Sequence, residues 1–325
     1  MKRMLVGLCM AATALFTART GSAQTYAQTA PGAAPMTPPP YAVTPTTGPT
    51  APLRPQRTMF EADPVVDGAV LSLSAGWAIL STMIIGTGEI RPQQISPTFD
   101  TKDLLPFDRV AVTQTPDPNA KTFSNVGLGL AIGYAGLDPI LSGVRAHSAR
   151  TALVDALIYA EAIAVTDGMT NLSKLAVRRP RPIAYVEFNA CRAKHPGKSA
   201  NQLAVLCDNT STDSALSFVS GHAATTGAIW GAATYLAFSR SPHSIRPWLT
   251  LIGGGALTAF VGYERVRSAD HFPSDVVAGA FAGAGVGVMT AHLHRADSSR
   301  LTPLWVGWYQ APIGDGGAVT LNGLF

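Results

Sequence analysis

Charge is scarce in this chain. Asp, Glu, Lys and Arg make up 14% of its 325 residues against 47% hydrophobic, which is more apolar than an ordinary soluble domain. The formal net charge of +4 does not point to a nucleic-acid partner. Lys2, Arg3 and Arg19 lie in the first 23 residues, which hold no Asp or Glu, and the remainder carries 21 basic against 20 acidic residues. Cysteine is limited to Cys9, Cys191 and Cys207. No group of His, Cys, Asp or Glu stands at metal-ligand spacing, so neither a metal nor a cofactor is expected. There is no Ser nucleophile elbow and no nucleotide-binding glycine loop. Strand-like stretches are confined to the last 25 residues, too few to close a barrel.

What is present begins with a basic end, an apolar stretch over residues 4–16 and small residues at Gly21, Ser22 and Ala23. Residues 1–23 read as a secretory signal, too short to span a bilayer. Residues 24–60 are rich in Pro, Thr and Ala, with nine prolines from Pro31 to Pro55, and read as a disordered tether. Residues 61–300 are expected to form an all-α domain, its motif core at 120–295. Within it a compact bundle of about six apolar helices is read at 68–86, 126–144, 151–173, 223–239, 248–263 and 275–294. Gly227 and Gly231, and Gly279, Gly283 and Gly287, recur four apart and let helix backbones approach closely. Residues 88–122 and 183–216 read as polar connections. Pro106 to Arg109 carries no assigned role. Residues 301–325 are expected as a short C-terminal β-hairpin extension, 304–309 and 318–321 flanking Gly314 to Gly317.

Three stretches carry chemistry. Lys174 is followed by six residues and then Arg181-Pro182. Ser217-Phe-Val leads into Ser220-Gly221-His222. Arg265 is followed by five residues, His271, three more and Asp275. Arg forks onto oxyanions, and a histidine serves as nucleophile or proton carrier. Pro273 suits the first turn of a helix, which places Asp275 within reach of His271, to hold its other ring nitrogen in one tautomer. Ser220 and the N–H of Gly221 stand at a helix start that favours an anion. Each residue also has a plainer reading. His271 and Asp275 could be a structural pair, His222 a helix-start residue, and Lys174 and Arg181 helix C-terminal cations beside Arg178 and Arg179. His147, His195, His243, His292 and His294 lack such neighbours and are read as surface or structural.

In this order and at this spacing the three stretches resemble the signature of the type 2 phosphatidic acid phosphatase and vanadium haloperoxidase superfamily, over roughly residues 120–295. Val219 departs from it where a Pro commonly precedes Ser-Gly-His, and Glu264 where a Ser commonly precedes the Arg. The resemblance implies a metal-independent phosphatase acting on a phosphomonoester or a lipid (pyro)phosphate, with no nucleic-acid partner. His271 would attack phosphorus to give a phosphohistidine, Asp275 would orient it, and His222 would protonate the leaving oxygen. Lys174, Arg181, Ser220, Gly221 and Arg265 would bind the phosphate, and vanadate would inhibit. The same cage underlies the alternative of a vanadate-dependent haloperoxidase, with vanadate as cofactor. A non-enzymatic envelope bundle is the third reading.

The signal-like start makes the even pair Cys191 and Cys207 a candidate disulfide in an exported chain. Six apolar stretches match integral lipid phosphatases with outward-facing sites, but a cleaved signal followed by six spans would leave the Lys174 loop inside. Asp155, Glu161 and Asp167 on one of those stretches also argue against lipid exposure. A soluble or peripheral periplasmic protein, with membrane association allowed for, is therefore preferred to an integral one.

Overall fold

The computed structural model describes residues 59–296 together with the backbone of Trp305–Gln310 and Gly317–Asn322. The signal, residues 24–58 of the tether and the turn of the hairpin lie outside the described residues. The two C-terminal segments pair antiparallel, Trp305 opposite Asn322. Residues 59–296 are all-α: α1 Pro64–Gly86, α2 Val110–Thr113, α3 Ala120–Ala146, α4 Ala149–Val177, α5 Pro182–Lys194, α6 Ala200–Leu206, α7 Gly221–Arg240, α8 Arg246–Arg267 and α9 Pro273–Leu293.

Local chemistry sets the helix starts. The Asp63 side chain accepts the N–H groups of Val65 and Val66, and Pro64 opens α1. Ser148 caps α4 through the N–H of Thr151. Pro182 and Pro273 open α5 and α9, where a missing N–H costs nothing.

Two expectations are corrected. Residues 183–216 are not a plain polar loop, since they fold into α5 and α6, which a disulfide joins at Cys191 and Cys207 with Cα atoms 5.8 Å apart. Exposed Glu187 and Lys194 hide an inner face on which Ala184 and Phe188 pack with Ile95, Phe99 and Leu203 in a small second core. Phe60, assigned to the tether, is buried. Its ring meets Tyr235 edge-on at 6.4 Å and lies 5.0 Å beneath the Arg240 guanidinium, so ordered packing already includes it.

The main core gathers Ala131, Ala135, Val154, Ile158, Tyr159 and Leu236 around α7. The outer helices are apolar outward as well. Val65, Leu73, Ile79 and Met83 of α1 and Phe281 of α9 are exposed. Helices α1, α3 and α9 are long and apolar enough to cross a membrane, which is compatible with membrane association.

The α7–α9 contact positions the site. A Cβ on Gly231 would stand 2.2 Å from the Ala284 carbonyl oxygen, and one on Gly283 would stand 1.9 Å from that of Ala224. The backbones therefore touch, and at the end of this contact the Ser220 N–H donates to the Asp275 carbonyl at 3.1 Å. Because backbone cannot yield as a flexible side chain can, Gly283→Ala is expected to cost about 3 kcal/mol or more. In thermal unfolding this is a drop of roughly 6–12 °C for a domain of this size. Gly285→Ala on the same helix, whose Cβ meets nothing within 4 Å, should leave the melting temperature nearly unchanged.

Candidate functional site

The three motifs converge at one end of the bundle. Lys174 lies in the last turn of α4, and Arg181 is the residue before α5. Ser220 caps α7, with Gly221 and His222 in its first turn. Arg265 lies in the last turn of α8, His271 in the connection that follows, and Asp275 in the first turn of α9. The Lys174 Nζ comes within 3.5 Å of where a Gly221 side chain would begin, which places the ammonium beside the α7 N-terminus.

Lys174, Arg181 and Arg265 share a buried space with only partial compensation. Burial first, and then the neighbouring Arg181 and Arg265, lower the Lys174 pKa from 10.5 to about 8, although Asp167 and Asp213 oppose this. Asp270 bridges the two guanidinium groups: Arg181 Nη1 donates to its Oδ1 at 2.6 Å and Arg265 Nη2 stands 3.0 Å from its Oδ2. Arg181 also reaches Asp213 at 3.0 Å. Even so, Arg181 Nε and Arg265 Nε and Nη1 are buried with no hydrogen-bond partner among the described residues. Orphaned cationic donors at the N-terminus of a helix make a receptor for an oxyanion.

His271 is buried, and its environment corrects one expectation. Its Nδ1 lies 2.6 Å from the Ser217 carbonyl oxygen, not on Asp275. A carbonyl can only accept, so Nδ1 carries the proton and a neutral ring keeps its lone pair on Nε2. Burial, Arg181, Arg265 and Lys174 push the His271 pKa well below the ordinary imidazole value, which keeps the ring neutral. Asp275 acts one step removed. Its Oδ2 accepts the Ser217 hydroxyl at 2.5 Å and the Phe272 N–H at 3.0 Å, and its Oδ1 accepts Arg179 Nη1 at 2.5 Å. It fixes the segment whose carbonyl holds His271.

His222 has Nε2 2.8 Å from Asn125 Oδ1 of α3. The amide oxygen accepts the Nε2 proton, so a second proton adds at Nδ1. Burial, then Arg265 and Lys174, lower the His222 pKa to about 4, with Asp270 acting the other way. An anion entering the cage reverses the cationic contribution and raises this value.

Sequence reasoning missed several supporting residues. Asp108, in the unassigned Pro106–Arg109 stretch, is fully buried. It accepts the N–H and hydroxyl of Ser274 at 2.9 and 2.7 Å and Arg179 Nη2 at 2.9 Å, fastening the start of α9. Arg179, named above only as a neighbour of Lys174 and Arg181, is the hub between Asp108 and Asp275 and lies 4.0 Å over the Phe272 ring. Its place inside the first motif and the position of Asp270 beside His271 were available signals. Nothing in the sequence marked Asn125. Among the histidines read as surface or structural, His292 meets the Tyr235 hydroxyl at 2.7 Å, and His294 is buried near Asp67 and Glu161.

Comparison with known proteins places residues 155–298 within the family model described as the PAP2 superfamily, a match that supports that superfamily. It takes in all three motifs. No curated protein and no solved structure matches the chain.

Because Lys174 is charged below about pH 8 and neutral above it, the anion affinity it contributes is present at lower pH and lost as pH rises through 8. Binding of inorganic phosphate, followed by calorimetry from pH 7.5 upward, is expected to weaken across that value. Lys174→Arg, whose guanidinium does not titrate in this range, should abolish the weakening.

Proposed function

We propose that the chain is a metal-independent phosphatase that hydrolyses a phosphomonoester or lipid (pyro)phosphate through a phosphohistidine. PAP2 superfamily membership suggests phosphatase or haloperoxidase-like activity, and members are typically phosphatases. The observation that carries the phosphatase reading is a neutral, buried His271, its Nδ1 tied to a carbonyl, beside unpartnered guanidinium N–H groups.

In this reading the unshared pair on His271 Nε2 attacks phosphorus as the bond to the leaving oxygen breaks. Lys174, Arg181, Arg265, Ser220 and the Gly221 N–H hold the non-bridging oxygens, where charge needs stabilising. The bound anion raises the His222 pKa, so His222 takes up a proton and delivers it to the leaving oxygen. Water then attacks the phosphohistidine, His222 accepts the water's proton, the P–N bond breaks and phosphate departs. Asp275, through Ser217, and Asp108, through Arg179 and Ser274, are positioning residues.

A groove of about 510 Å³ between α3, α7 and α8 favours a lipid among the substrates. Leu130, Tyr134, Ile229, Trp230, Leu249 and Gly253 line it, and its border includes Thr226, one turn along α7 from His222. An acyl or prenyl chain esterified to a phosphate in the cage would lie along it. The disulfide and the signal-like start support an exported location, soluble or peripheral, with an integral protein whose site faces outward as the alternative.

Two experiments test this. Purified protein should hydrolyse a chromogenic phosphomonoester in the presence of chelator, with competitive inhibition by vanadate. His271→Ala should lose all turnover, and phosphate trapped in turnover should map to His271. Label on Ser220, or loss of activity on chelation at a temperature where the protein stays folded, would overturn the mechanism. For the groove, a Cβ on Gly253 meets nothing within 4 Å, so Gly253→Trp fills the space without a backbone clash. It should raise KM tenfold or more for a long-chain lipid phosphate and leave the small ester unaffected.

A further inference from the structure

Remote from the cage, three ligand-type side chains meet where the sequence shows no cluster. Asp67 comes from the first turn of α1, Glu161 from the middle of α4, and His294 from the residue after α9. All three are buried, and their candidate ligand atoms lie within 4.8 Å of one another. His294 Nε2 stands 3.5 Å from both Asp67 Oδ2 and Glu161 Oε2. Because α9 starts beside His271 and runs 21 residues to this end, the cluster lies roughly 30 Å from the cage.

From this geometry we propose that Asp67, Glu161 and His294 form a binding site for a divalent transition metal of the zinc type. Two features support it. His294 Nδ1 lies 2.8 Å from the Thr290 carbonyl oxygen, which takes the Nδ1 proton and turns the Nε2 lone pair toward the carboxylates. This is the tautomer and outer-shell bond that metal-bound histidines use. Next, Glu161 Oε1 and His294 Nε2 are buried with no hydrogen-bond partner among the described residues, so polar atoms of two ligands remain unsatisfied.

The dimensions agree. Ligands about 2.0–2.1 Å from a tetrahedral zinc are about 3.4 Å from each other. Both His294–carboxylate separations are near that value. The Asp63 N–H, donating to Asp67 Oδ2 at 2.7 Å, orients that ligand. Glu161 Oε1 or water completes the shell. A groove of about 920 Å³ lined by Asp67, Glu161 and His294 supplies an entry path. Such a metal would be structural: it would clip the start of α1, whose outer face is exposed among the described residues, to α4 and α9.

The test uses the full chain, stripped with chelator and dialysed against zinc. One zinc per chain is expected by elemental analysis, with a melting temperature that rises on loading, and cobalt(II) should give the intense visible bands of a tetrahedral site. His294→Ala and Glu161→Gln should each lose tenfold or more in zinc affinity and lose the thermal shift. His271→Ala, which alters the cage, should retain both, which separates this site from adventitious binding there. Absence of zinc uptake by the wild-type protein overturns the proposal whether or not the variants fold. So does undiminished zinc binding by folded His294→Ala. Asp67→Asn, which keeps the shape of the side chain, serves if His294→Ala does not fold. Neither overturning result bears on the phosphatase reading, which needs no metal.

Discussion

The arrangement at the cage depends on how closely two helix backbones approach. With glycine at the contacts, α7 and α9 touch through carbonyl oxygens and Cα atoms, a distance that any side chain would widen. Both helices begin at the same end, so two positive dipole ends are brought together there, with the Ser274 N–H of α9 already taken by Asp108. The connection that leads into α9 carries His271, and the residue that caps α7 precedes His222. A wider contact would separate the imidazoles and break the Ser220–Asp275 backbone bond. Composition, backbone distance and site geometry are thus one constraint seen at three scales.

Concentrating positive charge in a buried space carries a penalty, and the fold spreads it over several acids without cancelling it. Asp270 binds Arg181 and Arg265 together, Asp213 takes a further Arg181 nitrogen, and Asp167 acts on Lys174 from within α4. Three guanidinium nitrogens still lack partners among the described residues. Such groups oppose folding and favour an incoming anion, which is the usual exchange of stability for binding at a functional site. A separate network keeps the imidazole out of this competition. Asp108, Arg179, Asp275 and Ser217 bond to one another and leave a neutral carbonyl on His271 Nδ1.

The long helices were legible because runs of apolar and small residues can fold stably in few other ways, and the motif residues because their spacing survives as adjacency at helix ends. What escaped had physical reasons. The α5–α6 region is short and polar on its outer face, so an inner pair such as Ala184 and Phe188 leaves too weak a period to read. Asp275 stands four residues from His271, a spacing that suggests direct contact, yet its carboxylate is taken up by Ser217, Phe272 and Arg179. Asn125 and Asp108 reach their partners across 97 and 166 residues of chain, a pairing that no local pattern reveals. The meeting of Asp67, Glu161 and His294 is of the same kind.

The ends of the described helical region meet. Phe60 bridges to Arg295, the Glu61 N–H donates to the His294 carbonyl at 2.8 Å, and the Ala296 N–H donates to that of Met59 at 3.0 Å. This junction lies at the finish of α9, one helix length from the cage. Both ends of the described helical region therefore stand at a single pole of the bundle. Backbone hydrogen bonds between the two ends thus close the described bundle at the pole opposite the cage, so that fraying of either end is opposed by the other.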